Sequence, residues 1–264
     1  MRHSSLLLPA ISLCRRELVR FVRQPNRVIG ALATPVVFWL LIGGGMGRSF
    51  SGDHSGRGYI EYFFPGTLVM ILLFTAIFST ISIIEDRREG FLQSVLVAPA
   101  PRMALVLGKV LGGTILATGQ ALIFLLLAPT VGIRPSATGV ILTFCFMLTI
   151  AFALTGLGVC IAWRMTSTQG FHAIMNLALM PMWFLSGALF PASGATRGLG
   201  WIMALNPLTY GLAGVRRALY LHQTPESASL PSLTTCAVVT LAFAAAMLGL
   251  ASTVAGSRAA AEAH

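Results

Sequence analysis

Six blocks of apolar residues, each about twenty residues or longer and nearly free of charge, constrain this sequence more than anything else in it. They fall at about 28–47, 60–84, 104–129, 138–163, 171–190 and 232–254. A helix of ~20 apolar residues crosses the hydrocarbon core of a bilayer. Backbone at that depth has no water to bond, so it must satisfy its own hydrogen bonds, as a helix does. Composition leaves no soluble alternative. Only 10% of the 264 residues are charged and the mean hydropathy is +0.82, whereas soluble domains carry about 25% charged residues. The expected fold is an all-α membrane protein with six transmembrane helices, and 1–264 forms a single transmembrane domain.

A net charge of +10 would point to nucleic acid in a soluble chain. Here the basic residues cluster at the ends of apolar blocks and read as topology determinants. With both termini cytoplasmic, twelve Arg and Lys residues lie inside. Six lie outside, namely Arg48, Arg57, Arg134, Arg197, Arg216 and Arg217. That bias favours a multi-pass protein of a bacterial inner membrane with both ends inside.

Ahead of the first span, residues 5–24 alternate apolar and basic residues. On a helix Ile11, Cys14, Leu18, Phe21 and Val22 share one side, with Arg16, Arg20 and Arg23 opposite. The pattern predicts an interfacial amphipathic helix with its arginines toward headgroups, and it lacks the apolar core and cleavage site of a signal peptide. In the third span, Gly108 and Gly112 form a small-xxx-small face for close helix packing. Lys109 beside them is expected to snorkel. The region 191–230 is too polar for a clean span. Its apolar patches, broken at Asn206-Pro207, predict two short helices dipping into the membrane from the outer side.

Chemistry is scarce. The four cysteines form no CxxC pair and the five histidines lack ligand spacing, so neither metal nor disulfide is expected. None of the eight acidic residues lies mid-span, which disfavours a proton relay. Gly108-Lys109 is followed by Val110 and lacks the upstream glycine of a phosphate loop. The chain is therefore expected to bind no cofactor of its own. Gln120 and Asn176 are the intramembrane polar side chains, either interhelical bonding partners or polar points on a pathway.

The most polar stretch is 85–102. Five charges, Glu85-Asp86-Arg87-Arg88-Glu89, precede Gly90, an apolar run from Phe91 to Val97, and then Pro99 and Pro101. Leu92, Val95 and Leu96 fall at helical offsets 0, 3 and 4. Two accounts stand open: a surface helix held by lipid, or a helix that docks in a groove of a soluble partner.

These residues resemble the ABC-2 type permeases of ATP-binding-cassette exporters. The similarity rests on Glu89-Gly90, Leu92, Gln93, Leu96 and Pro99 in the polar stretch, with Phe91 where that family usually has a small residue. It rests further on Phe184-Leu185-Ser186-Gly187-Ala188-Leu189-Phe190-Pro191 and on Asn206-Pro207-Leu208-Thr209-Tyr210. The resemblance implies a non-catalytic subunit that pairs with a second permease subunit, in a homodimer or heterodimer, above a separate ATP-binding-cassette ATPase. It implies a coupling helix at about 87–97 contacting that ATPase through Arg87, Arg88, Glu89, Gly90, Phe91, Leu92, Val95 and Leu96. It also implies an outer gate of re-entrant helices before the last span, with Ser186, Gly187, Phe190, Pro191, Asn206, Pro207 and Tyr210. Spans with so few ionisable groups favour a hydrophobic or amphipathic cargo such as a drug, a lipid or a lipid-linked glycan. A passive channel or scaffold and a membrane-embedded transferase are the alternatives. Missing intramembrane acids, bases and metal ligands count against the transferase.

Overall fold

The computed structural model describes residues 6–46, 58–91, 101–191, 196–221 and 230–261, with side chains as far as residue 256. Every regular element among them is helical: α1 (Leu7–Val22), α2 (Pro25–Gly45), α3 (Tyr59–Arg88), α4 (Arg102–Leu125), α5 (Ala137–Arg164), α6 (Thr168–Trp183), α7 (Arg197–Leu205), α8 (Pro207–Leu219) and α9 (Leu233–Ala261). A single π turn, Phe184–Ala188, extends α6, and a short 3-10 turn, Ala128–Val131, follows α4. Six of the described helices are long and apolar enough to cross a membrane: α2, α3, α4, α5, α6 with its π turn, and α9.

The 30-residue α3 is buried along nearly its whole length, packed on α2, α4 and α5. Its interior face is large and apolar at Phe63, Phe64, Leu68, Met70, Ile71 and Leu72. Trp39 of α2 sits edge-on to Phe64 and Phe124, which stack on each other at 4.7 Å. Its indole N–H donates to the Ile60 carbonyl at 3.0 Å. Burying such a group unpaired would be costly, so the bond fixes the α2–α3 register as well as filling space. Pro65 of α3 has no N–H for the Glu61 carbonyl, and the Tyr220 hydroxyl supplies a donor there at 3.3 Å.

Close approach is set by glycines. A Cβ on Gly113 would lie 2.5 Å from Ser79 Oγ and Thr155 Cγ2, so α4 meets both α3 and α5 at that point. The Gly108 and Gly112 face packs against α1: added Cβ atoms would lie 2.7 Å from Leu13 Cβ and 2.9 Å from Glu17 Cβ. Helix starts follow local chemistry. Ser136 and Ser167 cap α5 and α6 by accepting from the Gly139 and Gly170 amides.

Two sequence expectations change here. Helix α3 continues through Arg88, so Glu85–Arg88 form its last turn and are not the start of a separate segment. On α1 the expected apolar face is divided: Cys14 and Phe21 are buried, whereas Ile11 and Val22 are exposed. Glu17, within the buried face, turns the helix by demanding cationic partners.

Candidate functional site

Two polar clusters stand at opposite ends of α3. The first lies at its C-terminal end, where α1, α3 and α4 meet. Asp86 is fully buried and Glu17 and Lys109 nearly so. The Lys109 ammonium donates to Glu17 Oε1 at 2.6 Å, to Ser82 Oγ at 3.0 Å, and to Asp86. Asp86 also accepts from Arg16, at 2.7 and 3.0 Å, and from Arg20 at 2.5 Å. Arg20 reaches Glu85 at 3.0 Å and Glu89 at 3.3 Å, and Arg27 of α2 pairs with Glu85. Four helices are thus held by one ionic network, in which each buried charge has the several donors or acceptors that burial demands. The hydrogen bond to Asp86 raises the Arg16 pKa above the ordinary arginine value. Burial, and then the Glu17 charge, push the Cys14 thiol up, which keeps it a neutral packing group.

This network corrects two expectations. Lys109 does not snorkel; about two turns into α4, it is held inside by the two buried acids Glu17 and Asp86. Arg16 and Arg20 point to carboxylates of α3 and not away from the protein. The missed residues were Glu17 and Asp86. Glu17 lies beside an apolar face and Lys109 is the lone lysine, but no spacing in the sequence brings them together.

From this cluster the chain leaves α3. Arg87 donates to the Met165 and Trp163 carbonyls at 2.7 and 2.6 Å, and Arg88 to the Thr166 carbonyl at 3.2 Å. The two arginines therefore brace the turn between α5 and α6. Gly90 adopts φ +75°, a left-handed conformation that a side chain would strain, and it caps the end of α3. Phe91 lies with its ring 3.6 Å beneath the Arg16 guanidinium. Leu92, Val95 and Leu96 lie outside the described residues.

The second cluster is built around the π turn. Such a turn breaks the regular ladder, and Gly187 with φ +87° ends it, so several carbonyls need outside donors. The Asn206 amide donates to the Met182 carbonyl at 2.6 Å, while its oxygen caps α8 by accepting from the Leu208 amide. Thr209 donates to Leu185 at 3.3 Å and Ser186 to Trp183 at 2.6 Å. The Tyr62 hydroxyl and Arg216 Nη2 both reach the Gly187 carbonyl, at 3.1 and 3.3 Å, and the Tyr59 hydroxyl reaches Leu189 at 2.9 Å. Arg216 also lies 4.3 Å over the Tyr62 ring. Helices α7 and α8 meet at Asn206, so the residues of the two sequence motifs are joined by hydrogen bonds. Tyr210 turns instead to the Ala204 carbonyl at 3.0 Å. Phe190 is half-buried, Pro207 likewise, and Pro191 is exposed. The sequence gives no sign of Tyr59 and Tyr62, and it offers Thr209 only as part of a motif and Arg216 only as an outer charge, because their role depends on a π turn that no pattern announces.

Of the intramembrane polar candidates, Gln120 is buried between helices, accepting from Thr75 at 2.5 Å and donating to the Val28 carbonyl at 3.4 Å. Asn176 is exposed on α6. Among the described residues no group of three His, Cys, Asp or Glu side chains is placed to hold a metal ion.

Six helices long and apolar enough to span a bilayer, a charge-locked junction at one end of α3 and a side-chain-braced break at the other define a polytopic membrane protein. A sequence model described as ABC-2 type transporter matches residues 10–220, and the chain belongs to that family. It is 27% identical over 216 residues to a protein of Cyanophora paradoxa named transport permease ycf38, covering 80% of this chain and 74% of that one. The counterpart in Porphyra purpurea is 23% identical over 209 residues, covering 78% and 72%. A multidrug ABC transporter permease of Escherichia coli K12, YbhR, is 25% identical over 164 residues, covering 62% and 44%. The chain is thus the membrane subunit of an ABC transporter.

Proposed function

We propose that this subunit moves a hydrophobic or amphipathic cargo (a drug, a lipid or a lipid-linked glycan) outward across a bacterial inner membrane. ATP is bound and hydrolysed by a separate ATP-binding-cassette subunit, and the permease binds no cofactor of its own. Two permease subunits, identical or different, enclose the pathway within membrane lipid, with all termini cytoplasmic. The α1 end of the bundle then faces the cytoplasm and the π turn faces outward. The multidrug permease named above lends support on cargo. So do the apolar spans, whose ionic cluster sits at one end of α3 and leaves the middle uncharged.

The single observation carrying the coupling role is the exit of the chain from α3. The Glu85–Glu89 turn is tied to α1, α2 and the α5–α6 turn, and Gly90 redirects the chain immediately afterwards. Force applied to residues 91–97 is delivered to α3 and not dissipated in a loose linker. Arg87, Arg88, Glu89 and Gly90 are the anchor in this reading, and Phe91, Leu92, Val95 and Leu96 are the contact with the ATPase. Apolar anchors of this size contribute ~1–3 kcal/mol each when buried. The test compares Leu92→Asp/Leu96→Asp with wild type at equal expression, by pull-down of the ATPase and by ATPase stimulation in liposomes. Loss of both is expected. Equal binding and equal stimulation remove the segment from the mechanism.

A further inference from the structure

We propose that the exposed flank of α1 is a binding site for the headgroup of an anionic phospholipid, with Arg15 and Arg23 as its phosphate ligands. The assignment rests on the reading above that α1 lies at the cytoplasmic membrane surface. An open groove of about 770 Å³ runs along α1, lined by Ser12, Arg15, Arg16, Arg20, Arg23 and Gln24, with Val19 and Glu89 completing it. Its charges do not balance. The four carboxylates Glu17, Glu85, Asp86 and Glu89 are engaged by Arg16, Arg20, Arg27 and Lys109. Arg15 and Arg23 are exposed, and their side chains make no ion pair or hydrogen bond among the described residues. Two positive charges are therefore left over along one groove, and the carboxylates that line or border it already have their partners.

What kind of anion fits follows from the neighbours. Leu8, Ile11, Val19 and Val22 are exposed beside the groove, at 70%, 60%, 43% and 69%. On the helix they sweep through about 80°, with Arg15 in their midst and Ser12 and Arg23 at their edge, so the unpaired arginines rise out of and beside an apolar strip. A ligand with acyl chains and a phosphate covers the apolar strip and meets these arginines at once, as an interfacial helix requires. A free phosphate leaves the apolar strip bare. Gln24 lines the same groove, where its amide offers a polar partner to a headgroup hydroxyl. Phosphatidylglycerol carries the charge, the hydroxyls and the chains together.

Each arginine near an anionic membrane surface contributes about 1 kcal/mol, or about fivefold in affinity. The full-length chain is purified from mixed phosphatidylglycerol and phosphatidylcholine vesicles, and the bound lipid is quantified by mass spectrometry. Arg15→Gln/Arg23→Gln is expected to lose about twenty-five-fold in phosphatidylglycerol enrichment, following that per-residue value. Arg134→Gln/Arg197→Gln, with the same change in charge at the far end, keeps it. Equal enrichment in all three proteins, or equal loss in both variants, overturns the site. Displacement of the lipid by inorganic phosphate alone makes it a free-phosphate site and overturns the lipid assignment. Loss of ATPase pull-down with lipid retained shows a protein-docking surface and overturns it as well. A Ser12→Cys label separates the two readings: labelling from the periplasmic side with enrichment intact refutes the cytoplasmic placement of α1 and leaves the headgroup site standing.

Discussion

Replacing Lys109 with methionine tests whether the ionic junction holds α1 onto the bundle. Methionine keeps most of the volume and removes the ammonium that joins Glu17 to Asp86. The two acids are affected unequally. Asp86 retains Arg16 and Arg20, whereas Glu17 retains only Arg16 Nη1 at 3.3 Å. Breaking a buried pair from one side costs about 3–5 kcal/mol, and because Asp86 stays paired we expect the lower end, about 3 kcal/mol. Changing Glu17→Gln as well removes the stranded charge, so the double variant should recover about 2 kcal/mol of that loss. Unfolding of the four proteins of the cycle in mixed detergent micelles gives the coupling. Cys14 supplies an independent reading, because it is buried between α1 and α4. Its maleimide labelling, resolved from the other cysteines by mass spectrometry, should accelerate in Lys109→Met and slow again in the double variant. A Lys109→Met protein within about 0.5 kcal/mol of wild type, with unchanged Cys14 labelling, refutes the network as the attachment of α1.

Gly108→Leu should expose Cys14 in the same assay, since even a Cβ there meets Leu13 at 2.7 Å, and overpacking costs about 1–3 kcal/mol or more. Asn206→Ala removes the α8 cap and the bond to Met182 together and should lower stability by about 2 kcal/mol. Tyr210→Phe, whose bond is to an exposed carbonyl, should lower it by less than about 1 kcal/mol; equal losses in these two refute the bracing of the π turn. A reporter fused after His264 should be active only in the cytoplasm, and periplasmic activity contradicts the orientation.

The all-helical fold and its six spans were legible because bilayer thickness writes itself into the sequence as apolar length, a signal that needs no tertiary information. The α1–α4 packing face was half legible. Gly108 and Gly112 announced close approach by a helix, but which helix comes depends on chain topology. The buried ionic cluster was not legible. Glu17, Asp86 and Lys109 are far apart in sequence, and each taken alone sits near a span end, where the ordinary expectation is water. Only their convergence makes burial favourable. The π turn was hidden for a related reason: Phe184–Pro191 reads as an ordinary apolar end of a span. What makes its irregular backbone tolerable is a set of donors from α3 and α8, at Tyr59, Tyr62, Asn206, Thr209 and Arg216.

Those donors give α3 a particular place in the molecule. Its first turn holds the Gly187 and Leu189 carbonyls through Tyr62 and Tyr59, and its last turn holds α1, α2 and α4 through Asp86 and Glu85. At 1.5 Å per residue, the 23 to 27 residues between these tyrosines and acids separate the two by about 35–40 Å. Between them α3 is packed at nearly every residue, with Ser79 and Thr80 against the glycines of α4 and α5. A helix so enclosed bends little, because a close-packed interior resists small local changes of shape. Any displacement of its charged end must then either shift the helix as a body or break the Glu85–Asp86 contacts. A shift of about one ångström would already strain the tyrosine bonds at the far end, since such bonds weaken steeply beyond about 3.2 Å. The π turn, with Gly187 in a left-handed conformation, interrupts the regular bonding of its span at that far end. The geometry therefore puts the irregular element where the stiff one ends, which is the order of stiffness that the coupling proposed above requires.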